Sequence, residues 1–149
     1  SRGAAWAIYG FALSYKYTKE KRYLDAAKKV AHYFVSALPS DYVPYWDFRI
    51  KPDGEPRDTS AAACAASGLI EISRLVGEEE SQMYLDNAKK IVKSLYENYG
   101  NFDNDEESLL REGTSNKPEK TNINVGLIYG DFFFTECLYK LIGNHELFW

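Results

Sequence analysis

The chain repeats itself at a spacing of about 60 residues, and each repeat holds two helix-length segments of different character. An apolar segment that contains glycine occurs three times, at residues 4–11, 62–69 and 125–132. A segment that begins Tyr-Leu-Asp follows the first two copies, at 23–30 and 84–91. Repetition at a fixed spacing indicates a recurring supersecondary unit, so we predict that the chain is built from helix pairs.

The two helices of each pair differ in how their apolar residues are distributed. Residues 21–38 and 82–99 carry them along one stripe, which is typical of helices with one solvent-exposed face. Residues 3–17, 60–75 and 124–142 are apolar around nearly the whole circumference, so they need cover on several sides. This alternation favours an α/α toroid with an inner and an outer helix ring. An α-solenoid also alternates, but its common repeats of about 34 to 47 residues are shorter.

The length of the chain limits how much of such a ring it can form. At about 60 residues per pair, its 149 residues supply about two and a half helix hairpins. We therefore predict an all-α fold, an incomplete arc of an α/α toroid, with residues 1–149 forming part of a single domain. An open arc exposes apolar inner-helix faces, so the chain is expected to form a homo-oligomer or to associate with a missing N-terminal half.

Composition excludes several classes of function. With 18 basic and 22 acidic residues the net charge is −4, which offers no basic surface for nucleic acid. No apolar run approaches the roughly 20 residues that span a bilayer, so no membrane partner is expected. Cys64 and Cys137 lack metal-ligand spacing and are predicted to be buried thiols. The acidic run 103–107 does not match an EF-hand and is interpreted as a solvated loop, and no glycine-rich phosphate-binding loop is present. Cytoplasmic and periplasmic locations both stay open.

Every second connection between helices is long. The long connections would all lie at one end of the helices, which indicates where a functional site is expected. The segments 39–60 and 100–124 are long and rich in side chains, whereas the connections near 18–20 and 77–80 are short and charged. Long loops in compact domains commonly carry function. We therefore expect the functional face at the N-terminal ends of the inner helices.

Charged residues near these helix starts are candidates for ligand contact. Arg2 and Arg57 lie where free backbone N–H groups already favour an anion, so each could bind a carboxylate or a sulfate. For Arg57, an ion pair with a nearby aspartate is an equal alternative. Asp58 directly precedes the helix 60–75 and is predicted to cap it. Asp131 follows an apolar run and needs a partner, either through a structural hydrogen bond across the ring or at the cleft.

Aromatic side chains near the same face are candidates for stacking on a sugar ring. Trp6 lies one helical turn from Arg2, and core packing is its alternative role. Tyr45 and Trp46 lie in a loop, where a core role is harder to assign.

Four motifs, taken together, resemble one enzyme family. They are Ser1-Arg2-Gly3-x-Ala5-Trp6-Ala7-x-Tyr9-Gly10-Phe11, Val43-Pro44-Tyr45-Trp46-Asp47-Phe48, Glu55-Pro56-Arg57-Asp58-Thr59-Ser60-Ala61-Ala62 and Leu127-Ile128-Tyr129-Gly130-Asp131-Phe132-Phe133-Phe134. In this order, over essentially the whole chain, they look like glycoside hydrolase family 88, the unsaturated glucuronyl hydrolases. The related family 105 resembles them less closely.

The resemblance implies a six-hairpin toroid that acts on oligosaccharides left by polysaccharide lyases, without metal or organic cofactor. An aspartate of the family protonates the vinyl ether of a terminal 4,5-unsaturated uronic acid and activates water. The resulting hemiketal collapses and releases the second sugar. The expected partner is therefore an oligosaccharide that contains unsaturated uronic acid.

Some individual positions match residues of the family's substrate cleft, and others depart from the family pattern. Arg2 and Trp6 match residues of the family's substrate cleft, and the loop Ser115–Lys117 falls where some members contact the second sugar and its sulfate. Ala4 stands where the family usually has glutamine, which puts the substrate preference in doubt. The family's two central aspartates lie upstream of the first motif, so the chain is identified with the C-terminal part of the family.

The sequence thus predicts substrate-binding residues but no catalytic ones. The substrate-binding set comprises Arg2, Trp6, Tyr45, Trp46, Arg57, Asp58, Ser115, Lys117 and Asp131. Without the family's aspartates, the chain alone is expected to be inactive, although the parent protein is expected to be an enzyme. The alternative function is a non-catalytic helical-repeat module for carbohydrate binding or for protein interaction.

Overall fold

The computed structural model describes residues 1–50, 53–103 and 107–143, and five α-helices lie within these ranges. In chain order they are α1 (Arg2–Thr18), α2 (Lys21–Ser36), α3 (Thr59–Leu75), α4 (Glu78–Tyr99) and α5 (Ile128–Leu141). The described residues contain isolated β-bridges but no strand. None of the described helices is long and apolar enough to cross a membrane.

Helix α3 lies at the centre and is the most deeply buried element. Every residue from Thr59 to Ser73 is buried, and α3 packs against α1, α4 and α5. Its small residues allow this close packing. A Cβ placed on Gly68 would lie only 2.8 Å from Ile8 Cγ2 and 2.8 Å from the backbone nitrogen of Tyr9. The inner layer therefore consists of α1, α3 and α5, while α2 and α4 cover it from outside, as the alternating pattern predicts.

The two flanking inner helices are covered less completely than their apolar sequences suggest. Trp6 and Tyr17 on α1 are 56% and 65% exposed, and Ile128 on α5 is 82% exposed. Helix α3 is thus covered on several sides, whereas α1 and α5 have the exposed apolar residues expected of an open arc. The reason is positional, because α1 and α5 have α3 as their inner neighbour on one side and open surface on the other.

Two helix starts differ from the sequence prediction, each for a local reason. Helix α4 begins at Glu78, four residues before the predicted 82, because three glutamates in its first turn suit the positive end of the helix dipole. Helix α5 begins at Ile128 rather than 124. Val125 instead exchanges backbone hydrogen bonds with Gly113, at 2.8 and 3.0 Å, so this stretch closes the preceding loop.

A buried ionic network joins the C-terminal halves of the three inner helices. The Lys140 ammonium is fully buried and lies 3.0 Å from Glu71 Oε1 and 3.1 Å from Glu136 Oε2. Tyr9 donates its hydroxyl to Glu136 at 2.9 Å, and Lys16 pairs with Glu71 at 3.3 Å. Because breaking a buried pair leaves an uncompensated charge, this network fixes how α1, α3 and α5 align. The sequence analysis did not identify it.

Candidate functional site

A cleft of about 310 Å³ opens at the N-terminal ends of α1 and α3. The long connections before α3 and α5 reach this face, as predicted, and the short ones lie at the other end of the helices. The cleft is lined by Ser1, Arg2, Gly3, Trp6, Trp46, Asp58, Thr114, Ser115, Asn116, Lys117 and Pro118. Six of the nine predicted substrate-binding residues are therefore together at one site.

Arg2 fixes the loop that forms one wall of the cleft. Its guanidinium donates to the carbonyl oxygen of Thr114 at 2.7 Å, to the carbonyl oxygen of Ser115, and to the hydroxyl of Tyr129 at 3.2 Å. It also lies 3.5 Å from Asp58 Oδ2. The planar fork of arginine suits several acceptors at once. Arg2 therefore connects the starts of α1, α3 and α5 at the base of the cleft.

Asp58 caps α3, which confirms the predicted N-cap. Its carboxylate accepts hydrogen bonds from the backbone N–H of Ala61 at 3.3 Å and from the Ser60 hydroxyl at 2.5 Å. Only 1% of Asp58 is exposed. The carboxylate is thus committed to the helix terminus and to Arg2, and its role at the cleft is to hold that wall together.

Two indole rings border the cleft from opposite elements. Trp6 projects from the second turn of α1 and is 56% exposed, with the Arg2 guanidinium 5.9 Å from its ring centre. Trp46 comes from the loop before α3, where its backbone N–H donates to the Pro56 carbonyl at 3.1 Å and its backbone carbonyl accepts from the Ser1 hydroxyl at 3.1 Å. The two rings offer flat apolar surfaces of the kind that stack on a sugar ring.

Glu55 lies behind Trp46 and Lys117 and contacts both. One carboxylate oxygen, Oε2, accepts from the Trp46 indole N–H at 2.7 Å and from the Lys117 ammonium at 2.8 Å. These two bonds, that of Lys117 being the stronger, hold the pKa of Glu55 below its usual value. Glu55 belongs to one of the four motifs, but no role is predicted for it from the sequence. The signal that could have indicated a role is its place in the same loop as Tyr45 and Trp46.

Tyr45 and Arg57 do not line the cleft. The Arg57 guanidinium stacks 4.0 Å from the centre of the Tyr45 ring, donates to the Val43 carbonyl at 2.6 Å and pairs with Asp41 at 3.0 Å. Asp41 in turn accepts from the Tyr99 hydroxyl at 2.7 Å. The ion pair with a nearby aspartate, one of the two roles predicted for Arg57, is present in the structure. This cluster braces the loop that carries Trp46.

Asp131 is also placed away from the cleft. Its carboxylate accepts a hydrogen bond, at 3.0 Å, from the backbone N–H of Leu110, which lies in the loop between α4 and α5. Of its two predicted roles, the structural hydrogen bond is the one observed, because the side chain satisfies an otherwise unpaired loop N–H.

The charge pattern of the cleft favours binding rather than acid–base chemistry. Arg2 and Lys117 are cationic, and Asp58 is the one carboxylate among the lining residues. Because Asp58 is bound to the helix terminus, the described lining residues hold no pair of free carboxylates. Within residues 1–50, 53–103 and 107–143 no group of three metal-ligating side chains occurs. The acidic run 103–107, where no calcium site is predicted, lies partly outside the described residues, which exclude 104–106.

The chain is similar in sequence to known proteins over its whole length. It matches no protein-family model. It is 35% identical, over its whole length, to an unsaturated glucuronyl hydrolase of Bacillus sp. (strain GL1), of which it covers 41%. It is 33% identical to an unsaturated chondroitin disaccharide hydrolase of Streptococcus agalactiae serotype III, of which it covers 38%. The matched region is the C-terminal part of these proteins. The chain is a homologue of the C-terminal part of the unsaturated glucuronyl hydrolases.

Solved structures of unsaturated glucuronyl hydrolases also share its fold. The crystal structure from Bacillus sp. GL1 superposes with a TM-score of 0.88 at 37% identity, over 94% of this chain and 38% of that one. A variant from Streptococcus agalactiae, complexed with dGlcA-GalNAc6S, gives 0.91 at 33% identity, over 99% and 40%. These hydrolases are α/α toroids, so the five helices form an arc of such a toroid. The chain spans about two fifths of the length of the curated relatives named above.

Proposed function

We propose that the chain forms the substrate-binding part of a hydrolase that releases 4,5-unsaturated uronic acid from lyase-generated oligosaccharides. Residues 1–149 are, in this proposal, the C-terminal part of a single α/α-toroid domain. The observation that carries the proposal is the cleft itself. Six residues chosen from sequence for substrate contact line one cavity, and it carries two cations and two indole rings.

Each wall of the cleft suits a different part of a short anionic saccharide. Trp6 and Trp46 offer stacking surfaces for sugar rings, since aromatic faces pack well on apolar sugar faces. The positive ends of α1 and α3 and the Arg2 guanidinium make the base of the cleft favourable for the uronate carboxylate. Ser115 and the Lys117 ammonium lie on the loop that would face the second sugar and a sulfate on it. The dGlcA-GalNAc6S bound by the streptococcal relative is a ligand of this chemical class.

Catalysis requires groups that this cleft lacks. Hydration of the double bond needs a proton donor for the vinyl ether and a base for the attacking water, so that the hemiketal can form and then release the second sugar. Asp58 is committed to capping α3, and the described residues that line the cleft include no second carboxylate. We therefore expect the chain alone to bind saccharide without turning it over. Activity would return when the remaining helices of the toroid supply the acid–base group.

A non-catalytic role is the second candidate function. The same absence of a carboxylate pair fits a carbohydrate-binding or interaction module built from helix repeats. The exposed apolar residues Tyr17 and Ile128, on the outward sides of α1 and α5, are suited either to self-association or to docking of the remaining helices.

Isothermal titration calorimetry and an absorbance assay test the proposal together. The chain is titrated with an unsaturated chondroitin disaccharide and, as a matched control, with the saturated disaccharide. We expect heat of binding that is stronger for the unsaturated ligand, and no loss of the double-bond absorbance over time. Absence of binding to both ligands would contradict the binding proposal, and turnover by the chain alone would contradict its inactivity.

A further inference from the structure

Glu55 connects two side chains of the cleft wall without itself lining the cleft. Its Oε2 atom accepts from the Trp46 indole at 2.7 Å and from the Lys117 ammonium at 2.8 Å. The Lys117 ammonium also lies 5.9 Å from the centre of the Trp46 ring. A carboxylate that accepts from two donors fixes both, and charge-assisted bonds of this kind are stronger than neutral ones.

The Glu55 charge also changes what the cleft presents to a ligand. An ammonium has three N–H donors, and one of them is directed to Glu55. Trp46 and Lys117 face the cavity, whereas Glu55 is behind them, so a ligand meets a cation whose charge is partly offset by a nearby anion. About one quarter to one third of the Glu55 and Lys117 side chains is exposed, at 27% and 32%, so solvent screens this pair only in part.

We propose that Glu55 is a positioning and specificity-determining residue. It holds Lys117 and Trp46 as one unit and moderates the attraction of the ammonium for an anionic substituent on the second sugar. The cleft thereby binds sulfated and unsulfated disaccharides with more similar affinity than the lysine alone would allow. This inference rests on the proposed saccharide-binding function.

A charge-neutral variant tests the specificity. In Glu55→Gln the amide oxygen can still accept from Trp46, but the negative charge is lost. Affinities of the full chain for 6-sulfated and unsulfated unsaturated chondroitin disaccharides are measured by calorimetry. We expect the ratio of the two affinities to rise about fivefold in favour of the sulfated ligand, the size expected for one charge at this distance in a partly screened site.

The control variant is Glu119→Gln, which removes one carboxylate from the loop that carries Lys117. Glu119 accepts from the Asn116 side chain and is exposed, and its carboxylate does not pair with Lys117. We expect the affinity ratio to change less than twofold in this variant. An equal change in both variants, or an unchanged ratio in Glu55→Gln, overturns the inference while leaving saccharide binding intact. If the wild-type chain binds neither disaccharide, the proposed function fails and the specificity part of the inference fails with it.

A measurement without ligand tests the positioning role separately. The NMR signal of the Trp46 indole N–H, assigned with Trp46→Phe, is followed during an acid titration. We expect it to shift as Glu55 is protonated, to titrate at a higher pH in Lys117→Met, and to lose this titration in Glu55→Gln. An indole signal that titrates identically in wild type and in Lys117→Met overturns the claim that Glu55 joins the two side chains, whatever the saccharide result.

Discussion

The guanidinium of Arg2 donates to the carbonyl oxygen of Thr114 at 2.7 Å, which ties the first turn of α1 to the loop that leads into α5. The same side chain reaches Tyr129 at the start of α5 and the cap of α3. One residue thus assembles the N-terminal ends of all three inner helices, and the cleft exists because these ends meet.

Replacing Arg2 should therefore affect both stability and binding. In Arg2→Gln the carbonyl oxygens of Thr114 and Ser115 lose their charged donor, so we expect the free energy of unfolding in urea to fall by about 2 kcal/mol. We also expect saccharide affinity to fall at least about tenfold, because this loop forms a cleft wall. The control is Arg22→Gln, since Arg22 is exposed and pairs with Glu20. Equal losses in the two variants would show that Arg2 has no special role.

Trp6 should contribute to binding but little to folding. It is 56% exposed, so Trp6→Ala should change the free energy of unfolding by less than about 0.5 kcal/mol. Loss of a stacking surface should weaken disaccharide binding about three- to tenfold in calorimetry. Tyr17→Ala removes an equally exposed aromatic of α1, three turns from the cleft, and should leave affinity unchanged. If Tyr17→Ala weakened binding as much, the ligand would not lie at Trp6.

Two glycines of the inner helices should respond oppositely to alanine. In Gly68→Ala the new Cβ would meet the backbone of Tyr9 at 2.8–2.9 Å, and α1 and α3 would have to separate. We expect a loss of about 1–3 kcal/mol in the free energy of unfolding. Gly10 has open space around its Cβ position, so Gly10→Ala should stabilise α1 by about 0.5–1 kcal/mol. Chemical denaturation measures both. Destabilisation by Gly10→Ala comparable to that by Gly68→Ala would contradict the observed close approach.

The buried ionic network should make stability depend on pH below about 4.5. Burial by itself would raise the pKa of Glu71, but attraction to Lys140 and Lys16 lowers it below the ordinary value of 4.5. A carboxyl group whose pKa is lower in the folded state stabilises the fold above its unfolded pKa, and this contribution is lost as pH falls through the folded pKa. Glu71→Gln should therefore show a shallower loss of stability below pH 4.5 than the wild type, and should cost about 3 kcal/mol at pH 7.

Glu97→Gln is the matched control for this pH dependence. Glu97 pairs with Lys93 on the exposed face of α4, so its removal should leave the slope of stability against pH nearly unchanged. Thermal or urea unfolding between pH 3 and pH 7 gives the slopes. Parallel slopes for wild type and Glu71→Gln would rule out the assigned contribution of Glu71.

Much of the fold can be predicted from the spacing of apolar residues, because burial of a helix face directly determines where apolar residues occur along the sequence. The apolar stripes predict α2 and α4, and the segments that are apolar around nearly the whole circumference predict α1, α3 and α5. The N-cap at Asp58 could also be predicted from the sequence, because an aspartate directly before a helix can accept a hydrogen bond from a backbone N–H of the first turn. The exposed faces of α1 and α5 follow from the length of the chain rather than from periodicity, because an incomplete arc leaves its flanking inner helices uncovered on one side.

The parts of the site that the sequence analysis missed depend on contacts between distant segments. Glu55 meets Lys117 across 62 positions of the chain, and no periodicity links them. Arg57 and Asp131 have residue types suited to a cleft but are turned towards Asp41 and Leu110. The buried ion pair of Lys140, by contrast, could have been predicted from the sequence. Glu136 and Lys140 are four residues apart on an otherwise apolar helix, a spacing at which side chains of a helix meet.

The most direct test of the account is to locate the ligand on the chain. Unsaturated chondroitin disaccharide is added to isotope-labelled protein and the NMR shift changes are mapped. The account predicts changes at the Trp6 and Trp46 indoles and at the Ser115 amide, with none at His32 and Tyr84 between the outer helices. Changes confined to the outer helices, or no changes at saturating ligand, would contradict it.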